Sequence, residues 1–224
     1  MLDVKNMKKI ICRRVFVSII SFLMILPVGL PAQTIDGSLA NWSKYTGKSA
    51  FTIMVPPTVE LKKPEDAFTQ EQRRLNICND EGAIVFQQKG LSCFERTALE
   101  KYCRILINYF RGDYGEYLKS TEVEMIDDDV MCALDQLVAS NTRPAARLMG
   151  KYSCKWVTIN GAKCLQIDYR RTGGKFDVSI PVICRMAIFQ NDNEMVIMTL
   201  AYREKEADLW KTDLEKVFKS FRWI

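Results

Sequence analysis

The tightest constraint in this chain is the dipeptide Asn160-Gly161, set between Tyr152–Ile159 and Ala162–Arg170. Asn-Gly is the strongest short hairpin signal, because both residues accept the positive φ that a two-residue hairpin turn requires. With these two as the loop, Ile159 faces Ala162, Trp156 faces Leu165 and Cys154 faces Ile167. Tyr152, Cys154, Trp156, Leu165, Ile167 and Tyr169 then share one apolar face. A slip of one residue would send them to the other face, so turn and pattern agree on one register. That register also places Cys154 and Cys164 on opposite faces, which excludes a disulfide between them within this hairpin.

A second hairpin is predicted from Val178–Gln190 and Met195–Arg203, joined through Asn191-Asp192-Asn193-Glu194. Its strands are apolar on both faces: Val182, Met186, Ile188 and Ile197 on one, Ile183, Phe189, Val196 and Leu200 on the other. Such a sheet needs cover on both sides. Pro181 removes a ladder donor and marks an edge or a bulge. Ala207, Trp210, Leu214, Val217, Phe218 and Phe221 fall on one stripe of a closing helix, with Lys and Glu opposite.

Upstream, Ala50–Val55 reads as a strand stopped by Pro56-Pro57, followed by a polar loop to Gln72. Arg74–Cys78 and Ala83–Lys89 flank Asn79-Asp80-Glu81-Gly82 as a hairpin would. Thr97-Ala98-Leu99-Glu100 can begin a helix, and Tyr102–Phe110 alternates as a strand before a turn at Arg111–Gly115. Asp127-Asp128-Asp129 precede Val130, Ala133, Leu134, Leu137 and Val138 at helical spacing, where carboxylates complement the positive end of the helix dipole. Asn141–Met149, with Pro144, ends that helix.

The amino-terminal end reads as an address. Lys5, Lys8, Lys9, Arg13 and Arg14 precede the apolar run Val15–Leu26, with a small residue, Ala32, at the expected cut. This is the pattern of a secretory signal peptide, and the run is short of the roughly twenty residues of a transmembrane helix. The expected organisation is a signal peptide over 1–32, a flexible lead-in over 33–49 and a single domain over 50–224, periplasmic or secreted and soluble after cleavage. Membrane contact is then confined to the signal peptide. The formal charge of +5 arises largely there: five of 32 Lys+Arg and one of 27 Asp+Glu lie in the leader, leaving 27 − 26 = +1. Without a basic stripe, nucleic-acid binding loses its electrostatic footprint.

The chain has no histidine, which removes Ser-His-Asp and Cys-His pairs, His-ligated zinc and histidine switching together. Of eight cysteines, Cys12 lies in the leader, leaving Cys78, Cys93, Cys103, Cys132, Cys154, Cys164 and Cys184. No CxxC occurs, so neither a redox pair nor a zinc knuckle is indicated. Mostly buried free thiols are the simplest account of them. One pairing stays open: a five-residue loop within Thr172–Asp177 would set Cys164 opposite Cys184 for a disulfide, whereas a shorter loop in a register one residue different would set them on opposite faces.

Three constellations have competing accounts. Glu122, Glu124, Asp127, Asp128 and Asp129 offer oxygen ligands, but not at the alternating spacing of a calcium loop, and helix capping accounts for them. Gly173-Gly174 beside Arg170, Arg171 and Lys175 offers donors to an anion, yet no phosphate-loop pattern follows and a mobile hairpin tip is the simpler account. Trp42, Tyr45, Tyr114 and Tyr117 suit either a binding groove or ordinary packing.

The second half resembles the PsbP-like superfamily, which includes the extrinsic photosystem subunit PsbP, a Ran-binding import factor and DcrB-type bacterial envelope proteins. The likeness lies in the strand ending Val157-Thr158-Ile159-Asn160-Gly161, the strand with Tyr169-Arg170, Val182–Gln190, the turn Asn191-Asp192-Asn193-Glu194, Val196–Tyr202 and a helix closing on Lys219-Ser220-Phe221. It implies an α+β fold in which helices sandwich an antiparallel sheet. It also implies an exported, non-catalytic binding or assembly module of the bacterial cell envelope, with an envelope protein as partner, no cofactor, and no catalytic or metal residues. Metal sites of some members use histidine, absent here. The alternatives are a small-molecule carrier with a pocket between sheet and helix, and a thiol-dependent enzyme with an accessible cysteine near Lys or Arg.

Overall fold

In a computed structural model, the structure describes residues 39, 41–74, 82–112, 132, 135–136, 146–173, 179–191 and 193–224. In chain order its elements are β1 Ser43–Gly47, β2 Phe51–Val55, β3 Val59–Leu61, α1 Ala67–Arg74, β4 Ile84–Gln88, α2 Arg96–Leu99, β5 Cys103–Arg111, β6 Ser153–Ile159, β7 Ala162–Arg171, β8 Val182–Gln190, β9 Glu194–Arg203, α3 Ala207–Lys219 and β10 Arg222–Trp223. A large sheet runs β3-β4-β5-β9-β8-β7-β6 and a small one β1-β2-β10. Every pairing is antiparallel. This is an α+β fold.

The Asn160-Gly161 turn sets the register the sequence predicts. Ile159 faces Ala162, Trp156 faces Leu165 and Cys154 faces Ile167; φ is +48° at Asn160 and +82° at Gly161. Leu165, Ile167 and Tyr169 form a core layer with Val182, Cys184, Met186 and Ile197, against which Tyr152, Cys154 and Trp156 pack. Cys164, Phe189, Val196 and Leu200 face the other way, with Trp210, Leu214, Val217 and Phe218 of α3 and with Phe51 and Ile53 of β2. Large sheet, small sheet and closing helix thus share one core. On the opposite face Tyr152 is hydrogen-bonded to Asp135, a helical residue. The rest of the helix expected after Asp127–Asp129 lies outside the described residues, apart from Cys132 and Gln136, which are helical too.

Several expectations change. Ser43–Gly47 pairs with β2, so the stretch assigned to a flexible lead-in contains a strand. Ala67–Arg74 is helical within the expected polar loop. Of the hairpin expected from Arg74–Cys78 with Ala83–Lys89, Arg74 ends α1 and Ile84–Gln88 is β4, paired with β3 and β5; residues 75–81 lie outside the described residues. Pro181 stands immediately before β8, where its missing donor costs the ladder nothing.

The Cys164–Cys184 disulfide is also not formed. Cys164 lies opposite Phe189 and Cys184 opposite Tyr169, because the connection between β7 and β8 occupies residues 172–181. That odd offset separates the two thiols along the ladder and turns them to opposite faces, Cys164 into one core layer and Cys184 into the other. Both are free and buried.

The segment after α3 closes the fold. Ser220 Oγ accepts the Met54 N–H at 2.8 Å and donates to the Val217 carbonyl at 2.6 Å. Phe221 is fully buried, stacked on Phe189 at 3.7 Å and on Phe51 at 5.7 Å between ring centroids. Arg222 and Trp223 then add a short strand to β2.

Candidate functional site

The end of β5 and the β8–β9 turn border an open polar cleft of about 650 Å³, lined by Arg111, Gly112, Asn191, Asn193 and Glu194. Its floor is rigid. Gly112 N–H donates to the Asn193 carbonyl at 2.8 Å, and Asn193 N–H donates to Asn191 Oδ1 at 3.0 Å, an Asx turn that holds the loop. Glu194 opens β9 opposite Arg111. Tyr109 Oη donates to its Oε1 at 2.7 Å and Asn191 Nδ2 to its Oε2 at 3.1 Å.

These contacts fix the charge states. Hydrogen bonds from Tyr109 and then Asn191, with the Arg111 charge nearby, hold the Glu194 carboxyl below the usual carboxylate range. The same bond to Glu194 raises Tyr109. Glu194 is therefore an ionised acceptor and Tyr109 a protonated donor, neither tuned toward neutral pH as a general acid or base is. The Arg111 guanidinium stands 3.7 Å from Glu194 Oε1, with its side chain 76% exposed. This spacing permits a loose ion pair and leaves donors directed to solvent. The cleft is equipped to bind a polar partner.

The candidates read from the sequence fall elsewhere. Arg170 pairs with Glu204, and Arg171 donates to Tyr102 Oη at 3.1 Å and to the Thr172 carbonyl at 2.9 Å. Gly173 is buried; Gly174 and Lys175, the rest of that group, lie outside the described residues. Tyr45 packs edge-on against Phe86 at 5.0 Å, and Trp42 packs on the core with Lys216 over its ring. Both serve packing. Tyr114, Tyr117, the acidic run Glu122–Asp129 and Cys78 lie outside the described residues.

Burial works against activation at four of the described thiols. Burial pushes Cys154 up to about 11 and Cys164 to about 12, the latter despite Arg185. Burial also raises Cys103 and Cys184. Exposed Cys93 has the Gly90 carbonyl and the Glu95 carboxylate as neighbours, both acceptors. Between the large sheet and α3 stand the Phe51–Phe221–Phe189 stack and the buried side chains of Trp210, Leu214, Val217 and Phe218. Among the described residues no helix is long and apolar enough to cross a membrane, and no three metal-ligating side chains are grouped.

The cleft could not be read from the sequence. Asn191–Glu194 was legible as a turn, but its position beside Arg111 depends on β5 pairing with β9 across some eighty residues of chain.

No protein-family model matches the chain, and no curated protein does either. Among solved structures it is similar to cyanobacterial PsbP (CyanoP) from Synechocystis sp. PCC 6803, with TM-score 0.49 at 15% identity, covering 88% of this chain and 100% of that one. It is similar to a protein from Bacteroides thetaiotaomicron VPI-5482, with TM-score 0.46 at 10% identity, over 82% of this chain and 49% of that one. It is also similar to LpqN, described as involved in cell envelope biogenesis of Mycobacterium tuberculosis, with TM-score 0.35 at 11% identity, over 86% and 98% of the two chains.

Proposed function

We propose that the chain is an exported, non-catalytic binding module of the bacterial cell envelope that engages a protein partner through the cleft at Arg111. The observation that carries this is the charge arrangement there. Glu194 accepts from Tyr109 and Asn191, while Arg111 is 76% exposed and only loosely paired with it. A hydrogen-bonded, ionised floor beside an available guanidinium suits recognition of a carboxylate or backbone carbonyl. Export rests on the leader, a basic stretch before Val15–Leu26 with Ala32 at the cut.

The test is an in-cell crosslinking pull-down of the tagged chain, exported by its own leader, beside an Arg111→Glu variant. One stoichiometric envelope protein recovered with the wild type and lost with the variant supports the assignment. Equal recovery with both removes the cleft from it, and recovery of nothing above background removes the partner.

A further inference from the structure

The outer edge of β6 is unlike the edge at the far side of the same sheet. β3, at the far edge of the large sheet, has three residues and lies between Pro56-Pro57 and Pro64. Short strands and prolines are how natural sheets blunt an edge. β6 has seven residues and no proline, and among the described residues no strand pairs with its outer side. Its register with β7 identifies the groups on that side. Asn160 and Gly161 are the whole loop, so Ile159 and Ala162 close the hairpin and exchange both hydrogen bonds. By alternation Val157, Lys155 and Ser153 also bond to β7, and Thr158, Trp156 and Cys154 turn their N–H and C=O groups outward.

The surroundings are cationic. Arg147, Lys151 and Lys155 are exposed and Lys163 lies half-buried across from Thr158, over the Trp156 ring. No Asp or Glu occurs between residues 146 and 163, and Asp135, from the helical segment before, is hydrogen-bonded to Tyr152 ahead of β6. The nearest acid on β7, Asp168, is engaged by Arg185 at 2.6 Å. The geometry points to β6 as a strand-addition surface for an extended, acidic, proline-free segment of a partner protein. Backbone hydrogen bonds from Cys154, Trp156 and Thr158 supply the pairing, and the lysines select the charge. A second copy of the chain is a poorer occupant, since it would lay two cationic strands side by side. This surface and the cleft stand on different elements and are tested separately.

The test is amide hydrogen exchange by NMR on the full exported chain, with a capped peptide Glu-Val-Glu-Val-Glu-Val as probe. In the free chain, the amides of Cys154, Trp156 and Thr158 are expected to exchange fast and those of Lys155, Val157 and Ile159 slowly. The peptide slows the first three. Methylating alternate peptide nitrogens weakens binding by about tenfold or more, because strand pairing needs those donors. Lys155→Glu, an exposed change that leaves the core intact, weakens it by about tenfold. The proposal is overturned by slow outward amides in the free chain, by no binding at millimolar peptide, by equal binding of the methylated peptide, or by self-association of the chain through β6.

Discussion

Asn160 Nδ2 donates to the carbonyl of Phe221 at 2.9 Å and, with its second hydrogen, to that of Lys219 at 2.7 Å. The turn that sets the register of the β6–β7 hairpin is thereby tied to the segment that closes the fold. One residue serves both, since its φ of +48° suits the turn and its amide caps the end of α3. Replacing it by glycine keeps the backbone conformation and removes the two hydrogen bonds. Asn160→Gly is expected to lose about 1–2 kcal/mol in urea unfolding. Asn160→Ala is expected to lose about 1 kcal/mol more, from the left-handed conformation.

Phe221 is held between Phe189 and Phe51, one from each sheet. Truncation removes the common wall of both stacks from a core with no exposure at that position. Phe221→Ala is expected to cost about 3–5 kcal/mol and Phe221→Leu considerably less. A loss below about 1 kcal/mol for the alanine variant would show that the small sheet does not depend on this ring.

Gly47 is required by packing. A Cβ there would stand 2.2 Å from Phe51 Cζ, and Phe51 is itself fully buried. Gly47→Ala is expected to destabilise by about 1–3 kcal/mol, and a thermal shift assay on the folded variant reads it.

The legible and illegible parts of the fold divide by range. Turn residues at Asn160-Gly161 and Asn191–Glu194 act between neighbours in sequence, and both hairpins formed where they were expected. β1 was missed because its turn uses Lys48 and Ser49 at φ of +52° and +54°, where no glycine signals it. Its strand also directs little apolar surface inward beyond Tyr45. That β4 pairs with β3 and β5 could not be read from the local turn signal before it, because both pairings join segments well apart in sequence. The Cys164–Cys184 pairing failed for the same kind of reason: a loop with no turn signal left the offset between β7 and β8 undetermined.

Glu60 predicts a pH dependence. Burial alone would raise its carboxyl, but the N–H groups of Ser92, at 2.7 Å, and Gly90, at 3.1 Å, outweigh this and hold it below the ordinary value of 4.5. A carboxyl depressed in the folded state contributes its full stability above the unfolded value and loses it as pH falls through the folded one. Denaturant midpoints should therefore fall below about pH 4.5, and Glu60→Gln should lower the midpoint at pH 7 while flattening this acid limb. A variant with an acid limb as steep as the wild type would exclude Glu60 as its source.

The thiols predict an order of alkylation. Exposed Cys93 and Cys132 should react with iodoacetamide in the folded chain, whereas Cys103, Cys164 and Cys184, buried and raised by that burial, should react only on unfolding. Peptide mass spectrometry after a short labelling pulse at pH 7.5 gives the order. A buried thiol reacting faster than Cys93 would revive the thiol-dependent enzyme.

Binding at the Arg111 cleft can be read in cells by site-specific photocrosslinking. A photoreactive residue is placed at Asn193, on the cleft, and as a control at exposed Lys205, beyond the end of β9. The expected result is one envelope protein crosslinked in high yield from Asn193 and not from Lys205. Equal labelling from both positions, or none from Asn193 in a chain shown to be exported and folded, would rule out the cleft as the binding site.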